Sequence, residues 1–237
     1  MSKRRKVTII SNSVALRVRP LDTSSPPKVY SEILFEYLNQ DRKFEVINMG
    51  YSRLLTSELK SQKDNYIRTF PHFFILNIGC VDAPPREIPK WYSDIIFHRC
   101  CFILHKYASF LYSIIIRKNL RPTLVKLRFR KPWVNKKKFR SNVDEFIQLL
   151  KKETFAKVLV VGINSGSDRL EKQLPGITKN YKIYNQILKE VSRKNNAHFI
   201  DVLDLNATNH FPDGVHYNNL GHKLVAERLN RKIRELI

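Results

Sequence analysis

The sequence predicts an α/β fold, and three observations carry that prediction. Five short apolar runs rich in β-branched and aromatic residues recur along the chain, helical patterns separate most of them, and the first three run into glycine or small polar residues. Strands alternating with helices imply a parallel sheet covered on both faces, hence a three-layer α/β/α sandwich of about five strands.

Each element has its own justification. VTII (Val7 to Ile10), FEVINM (Phe44 to Met49), FFILNI (Phe73 to Ile78), KVLVVGI (Lys157 to Ile163) and HFIDVL (His198 to Leu203) are too short and too apolar for anything but buried strands in this context. In VYSEILFEYLNQ, Ile33, Leu34, Tyr37 and Leu38 line one helical face. VDEFIQLLKK, YKIYNQILKEVSRK and the closing LGHKLVAERLNRKIREL repeat that periodicity. Ser24 to Pro27 reads as a loop.

Length and composition bound the rest. A chain of 237 residues with 43% hydrophobic content buries a sizeable core, and it reads as one domain over 1–237 with an inserted apolar and basic segment at about 84–138. The formal net charge of +22 points to anionic partners. Three cysteines, Cys80, Cys100 and Cys101, indicate no disulfide framework, and Cys80 reads as a small buried hydrophobe. MSKRRKVTIISNS lacks the apolar run of a signal peptide, so a cytoplasmic location is expected.

In an open parallel sheet, the loops at the carboxyl ends of the strands form the ligand crevice. The first strand runs into Ser11-Asn12-Ser13, the second into Asn48-Met49-Gly50-Tyr51-Ser52, and the third into Gly79-Cys80-Val81-Asp82. Asp213 and His216 fall in the loop before the last helix, where a turn through Gly214 folds the two side chains toward each other. A carboxylate so placed holds an imidazole in one tautomer, as a hydrolytic base requires. An Asp-Gly pair is also an ordinary turn signal, and the joint placement of serine, histidine and carboxylate is what favours chemistry.

These blocks resemble the SGNH (GDSL-type) hydrolases. SNS resembles the first block of that family, NMGYS the second, GCVD part of the third, and D-x-x-H at Asp213 and His216 the last. GCVDAPPR also looks like a branch found with bacterial surface-polysaccharide loci. The resemblance implies a flavodoxin-like sheet, Ser13 as nucleophile, His216 as base, Asp213 as its orienting acid, and backbone N–H groups of Ser13 and Gly50 as the oxyanion hole. Asp82 and Arg86 stand as substrate-binding candidates, with turn capping or mutual pairing as the structural alternative for both. No cofactor and no metal is expected. The implied activity is ester hydrolysis or O-acyl transfer on a carbohydrate, either a surface polysaccharide or a lipid-linked glycan.

Two residues depart from the family pattern. Asn12 stands where an aspartate is usual, and Val81 stands where an asparagine side chain would point at the oxyanion. Valine donates no hydrogen bond. The competing expectation is therefore a catalytically degenerate relative that binds a glycan or an assembly partner.

The middle of the chain is unlike a minimal domain. Residues 92–116 are strongly apolar but interrupted by Asp94, His98, Arg99, His105 and Lys106, too short between charges for a membrane span. Residues 117–142 contain 11 Lys or Arg and no acid, with Val125, Leu127, Phe129, Trp133 and Phe139 among them. An anionic membrane surface met through residues 92–140, at the inner membrane face, suits that mixture. A solvated basic loop fits equally, and nucleic acid is the weaker alternative.

Two other patterns lead nowhere. VGINSGSD, from Val161 to Asp168, lacks the phosphate-loop lysine, and His210, His216 and His222 lack the setting of a zinc site.

Overall fold

The computed structural model describes residues 4–17, 28–41, 43–98, 102–113 and 120–237. Arg99, Cys100, Cys101, the loop from Ser24 to Pro27 and residues 114–119 lie outside them. Five strands, β1 (Arg5–Ser11), β2 (Phe44–Gly50), β3 (Phe73–Asn77), β4 (Lys157–Val161) and β5 (His198–Ile200), form one sheet in the order β2-β1-β3-β4-β5. Every pairing is parallel. The five apolar runs of the sequence each became a strand, because a sheet with both faces covered needs near-continuous hydrophobic stretches.

Ten α-helices accompany the sheet among the described residues. They are α1 (Tyr30–Leu38), α2 (Lys63–Ile67), α3 (Lys90–His98), α4 (Phe102–Leu111), α5 (Arg121–Leu127), α6 (Lys136–Glu153), α7 (Asp168–Gln173), α8 (Ile177–Lys194), α9 (Ala207–His210) and α10 (Asn219–Glu235). Helix α1 packs on α10, and α6 packs on α8. Right-handed crossovers put these two pairs on opposite faces of the sheet, giving three layers. No helix among the described residues is long and apolar enough to cross a membrane.

Burial refines the periodicity. On α1, Leu34 and Leu38 are buried together with Tyr30, while Ile33 and Tyr37 lie at the rim. Val125, Leu127 and Phe129, set among cations, fall on the helix α5 and its exit turn, in which Val125 alone of the three is buried. The basic run ends inside the first turns of α6, whose buried stripe is Phe139, Val143, Phe146, Ile147 and Leu150.

Candidate functional site

The chain order reverses between β1 and β3, and the crevice of such a sheet opens at the carboxyl ends of these strands. At that edge Ser11, the last residue of β1, lies in register with Gly50 on one side and Asn77 on the other. The Asn12 N–H donates to the Asn77 carbonyl at 3.3 Å, and a single 3-10 turn over Ser13–Ala15 follows. Asn48 Nδ2 donates to the Ala15 carbonyl at 2.9 Å and pins that turn to β2. Ser11 and Asn12 are fully buried, whereas Ser13 stays partly open to solvent.

The opposing loop supplies the other two groups. Gly214 holds a φ of +87°, and a Cβ there would sit 2.4 Å from Ser167 Oγ, so only glycine fits. Through this turn Asp213 folds onto the residues that follow it. Its Oδ1 accepts the backbone N–H groups of Val215 at 2.8 Å and His216 at 2.7 Å. Its Oδ2 accepts the His216 Nδ1–H at 2.7 Å. With Nδ1 donating to a carboxylate, a neutral ring offers Nε2 as an acceptor, and Ser13 Oγ lies 3.0 Å from it. Ser13, His216 and Asp213 thus form one hydrogen-bonded chain across more than two hundred residues of sequence.

The electrostatics agree with that geometry. Burial alone would raise the Asp213 carboxyl, but the His216 hydrogen bond and charge and the two backbone N–H groups outweigh it and hold the carboxyl below its ordinary value. Asp213 therefore stays ionised and ready to balance a proton on the imidazole.

Several residues that support the site carried no motif. Asn164, at the carboxyl end of β4, donates from Nδ2 to the Val215 carbonyl at 2.9 Å, and Ser165 Oγ donates to the Leu205 carbonyl at 3.0 Å. The VGINSGSD loop, which lacks the features of a phosphate loop, is the shelf on which the histidine loop rests. Beneath the site, the His222 ring is buried and accepts the Tyr30 N–H at Nδ1, 3.2 Å away. Burial pushes its pKa down to about 4, so it is neutral and structural. His210 sits on α9 with its Nδ1 at the Asn206 backbone. Among the described residues no cluster of His, Cys, Asp or Glu could hold a metal ion.

The structure also shows the surroundings of three further residues that the sequence singled out. Asp82 has no exposed surface, and its Oδ1 accepts the Thr56 N–H at 2.9 Å and the Thr56 hydroxyl at 2.6 Å, so it caps a turn and does not reach a substrate. Arg86 donates from Nη2 to the Val81 carbonyl at 2.6 Å, and its guanidinium lies 4.0 Å from the Trp133 ring centroid, contacts that brace the loop after β3. Gly50 has a spatial role. A Cβ there would come within 2.8 Å of Leu16 Cδ2, blocking the loop that carries Ser13. The next amide, Tyr51 N–H, donates to the Ser11 carbonyl at 2.9 Å. Val81 is buried, and Cys80 lies in the core with its thiol pushed up to about 12 by burial.

Two cavities separate by location. One of about 550 Å³, lined in part by Arg5, Phe73 and Lys157, opens at the amino ends of the strands, opposite Ser13. Another of about 300 Å³, lined by Ser52, Arg53, Lys90, Ser93 and Trp133 among others, adjoins the loop after β2 on the same edge as Ser13.

No protein-family model and no curated protein sequence matches the chain. Among solved structures, a catalytic mutant of Axe2, an acetylxylan esterase from Geobacillus stearothermophilus, superposes with a TM-score of 0.65 at 14% identity, covering 98% of this chain and 95% of that one. The lipase/acylhydrolase from Enterococcus faecalis superposes with a TM-score of 0.62 at 17% identity, covering 98% of this chain and 96% of that one. At such identities the likeness is one of fold: the chain has the α/β sandwich of these esterases along almost its whole length.

Proposed function

We propose that this protein is a serine-dependent ester hydrolase acting on a carbohydrate ester, with O-acyl transfer to a sugar hydroxyl as the variant of the same chemistry. The observation that carries the proposal is the chain from Ser13 Oγ to His216 Nε2 at 3.0 Å and from His216 Nδ1 to Asp213 Oδ2 at 2.7 Å. The serine hydroxyl is a weak nucleophile until His216 takes its proton, while Asp213 orients the ring and stabilises its charged form. Attack on the ester carbonyl gives a tetrahedral species and then an acyl-serine. His216 returns the proton to the leaving sugar oxygen, and water or a second sugar hydroxyl, deprotonated by the same ring, releases the acyl group.

The catalytic mutants of Axe2 replace a serine, an aspartate and a histidine, the last two three positions apart. Asp213 and His216 have that same separation. The cavity beside Arg53, Lys90, Ser93 and Trp133 offers the mixed polar and aromatic lining a saccharide needs. In this reading the substrate is a polysaccharide or a lipid-linked glycan handled at the cytoplasmic face of a membrane, within a single domain that carries the 84–138 segment as an insertion.

Oxyanion stabilisation is the weak point of the site. With Val81 in place of a side-chain donor, the backbone N–H groups of Ser13 and Gly50 carry the load. One missing donor costs about 2.7–4 kcal/mol in the barrier, or roughly a hundred- to a thousandfold in rate. Slow turnover is therefore expected. The test is acetate release from acetylated xylo-oligosaccharides by the wild type, Ser13→Ala and His216→Ala. Slow release by the wild type, lost in both variants, is the expected result. Release that persists in Ser13→Ala contradicts the mechanism, and glycan binding without any release by the wild type establishes the degenerate alternative.

A further inference from the structure

The apolar and basic segment is not absorbed by the site, and its surface has an unusual composition. Of the 12 large hydrophobic residues exposed among the described residues, seven fall from Trp91 to Phe129. On α4, Tyr107, Phe110 and Leu111 share one outward face at helical spacing, with Lys106 beside them. Helix α5 ends in a Schellman motif, with Arg130 N–H donating to the Val125 carbonyl at 2.9 Å and Phe129 N–H to the Lys126 carbonyl at 2.8 Å. The residue at the left-handed position of that motif is usually glycine; here it is Phe129, with φ +54° and 82% of its surface exposed. A bulky apolar residue is thus held in a strained conformation with no intramolecular burial to compensate.

Next to Phe129 lies a cavity of about 470 Å³ between the α5 exit and the first turns of α6 and α8. Five cations line it: Arg130, Lys131, Lys136, Lys137 and Lys179. No carboxylate lines it, and the nearby Glu171 is already bound by the Gly176 and Thr178 N–H groups. Lys131 Nζ stands 5.8 Å from the Phe129 ring centroid, so the aromatic ring and the cationic rim share one side.

We infer that this surface docks on an anionic phospholipid bilayer, with lipid phosphates in the cationic cavity and Phe129 and the outer face of α4 in the interfacial layer. Apolar side chains that stand out beside clustered cations are the complement of a negatively charged interface, where burial and electrostatic attraction act together. The patch is tied to the loop after β3 by the Arg86 N–H to Lys131 carbonyl bond at 3.0 Å, by the Pro85–Pro132 bridge and by Asn180 Nδ2 donating to the Ala83 carbonyl at 2.9 Å. Docking therefore brings the sheet edge that carries Ser13 toward the lipid surface. The inference does not depend on ester turnover.

The experiment is co-sedimentation with vesicles of phosphatidylglycerol and phosphatidylcholine, with pure phosphatidylcholine vesicles as the comparison, at physiological ionic strength. The wild type and Ser13→Ala bind the anionic vesicles equally and the neutral ones far less. Lys136→Ala and Lys179→Ala each weaken binding roughly fivefold. Phe129→Gly weakens it about tenfold while leaving thermal stability equal or higher, because glycine suits the left-handed position; Phe110→Ser acts in the same direction. Equal binding to neutral vesicles, unchanged binding of Phe129→Gly and Phe110→Ser, or tighter binding to single-stranded RNA than to anionic vesicles overturns the inference.

Discussion

The loops around Ser13 and the turn around Phe129 stand at neighbouring places on one sheet edge, yet they treat their side chains in opposite ways. Around Ser13 several polar groups are bound inward: Asp213 by two backbone amides and a ring nitrogen, Val215 by Asn164, Ala15 by Asn48. The left-handed turn that folds Asp213 toward His216 is taken by a glycine, Gly214. Around Phe129 a phenylalanine occupies the glycine-like conformation and points into solvent, and cations cluster without acids. A site built for chemistry needs every orientation fixed before substrate arrives, whereas a surface built for an interface keeps its contacts for the partner. The difference separates the proposed catalytic region from the proposed docking region within one fold.

The largest effect that tests this division is Asp213→Asn. An amide can no longer fix the ring tautomer, and kcat for ester release should fall on the order of a thousand- to ten-thousandfold, with little change in vesicle binding. A parallel loss of vesicle binding would mean that the two regions are not separable.

Next comes Gly214→Ala. The φ of +87° and the 2.4 Å approach to Ser167 Oγ predict a loss of roughly 1–3 kcal/mol, read by denaturant unfolding, together with slower turnover. Phe129→Gly should be neutral or stabilising in the same assay. That contrast sharpens the comparison, because the two substitutions exchange the same pair of conformational demands in opposite senses.

The smallest effect concerns pH. Burial raises the Asp82 carboxyl from 3.8 to about 6, so between those values the folded chain keeps a proton that the unfolded chain has released, and stability falls as pH rises. His222 is pushed from 6.5 down to about 4, so there the unfolded chain holds the extra proton and stability rises with pH. The two nearly offset in the wild type. Asp82→Asn keeps an acceptor for Thr56 and leaves His222 alone, so unfolding measured from pH 4 to 7 should show a steeper rise. The variant should gain roughly 1–3 kcal/mol over the wild type above pH 6.5 and nothing near pH 4.

Much of the fold was legible because buried parallel strands are apolar on both faces. FFILN and KVLVV carry almost no other signal, and every residue of FFILN is buried. The first-strand serine and the D-x-x-H pair were legible because their residue types are uncommon together at that edge. What stayed hidden was the support. Asn164 acts through one side-chain bond to a backbone carbonyl, Asn48 through another, and a lone asparagine after a strand has no pattern to distinguish it from a turn residue. Gly50 was read from the sequence as a backbone N–H donor, while the close approach of Leu16 to it shows only in the packing. The arrangement around Phe129 stayed hidden too, because Val125, Leu127 and Phe129 alternate with cations and only the packing shows that Val125 alone of them is buried.

The most direct measurement of the central claim is labelling with a fluorophosphonate probe followed by peptide mass spectrometry, since the probe reacts far faster with a serine whose proton has a base to accept it. Modification at Ser13 in the wild type, absent in Ser13→Ala and strongly reduced in His216→Ala, is the predicted result. Modification at another residue, or at Ser13 with undiminished rate after His216→Ala, would contradict the account.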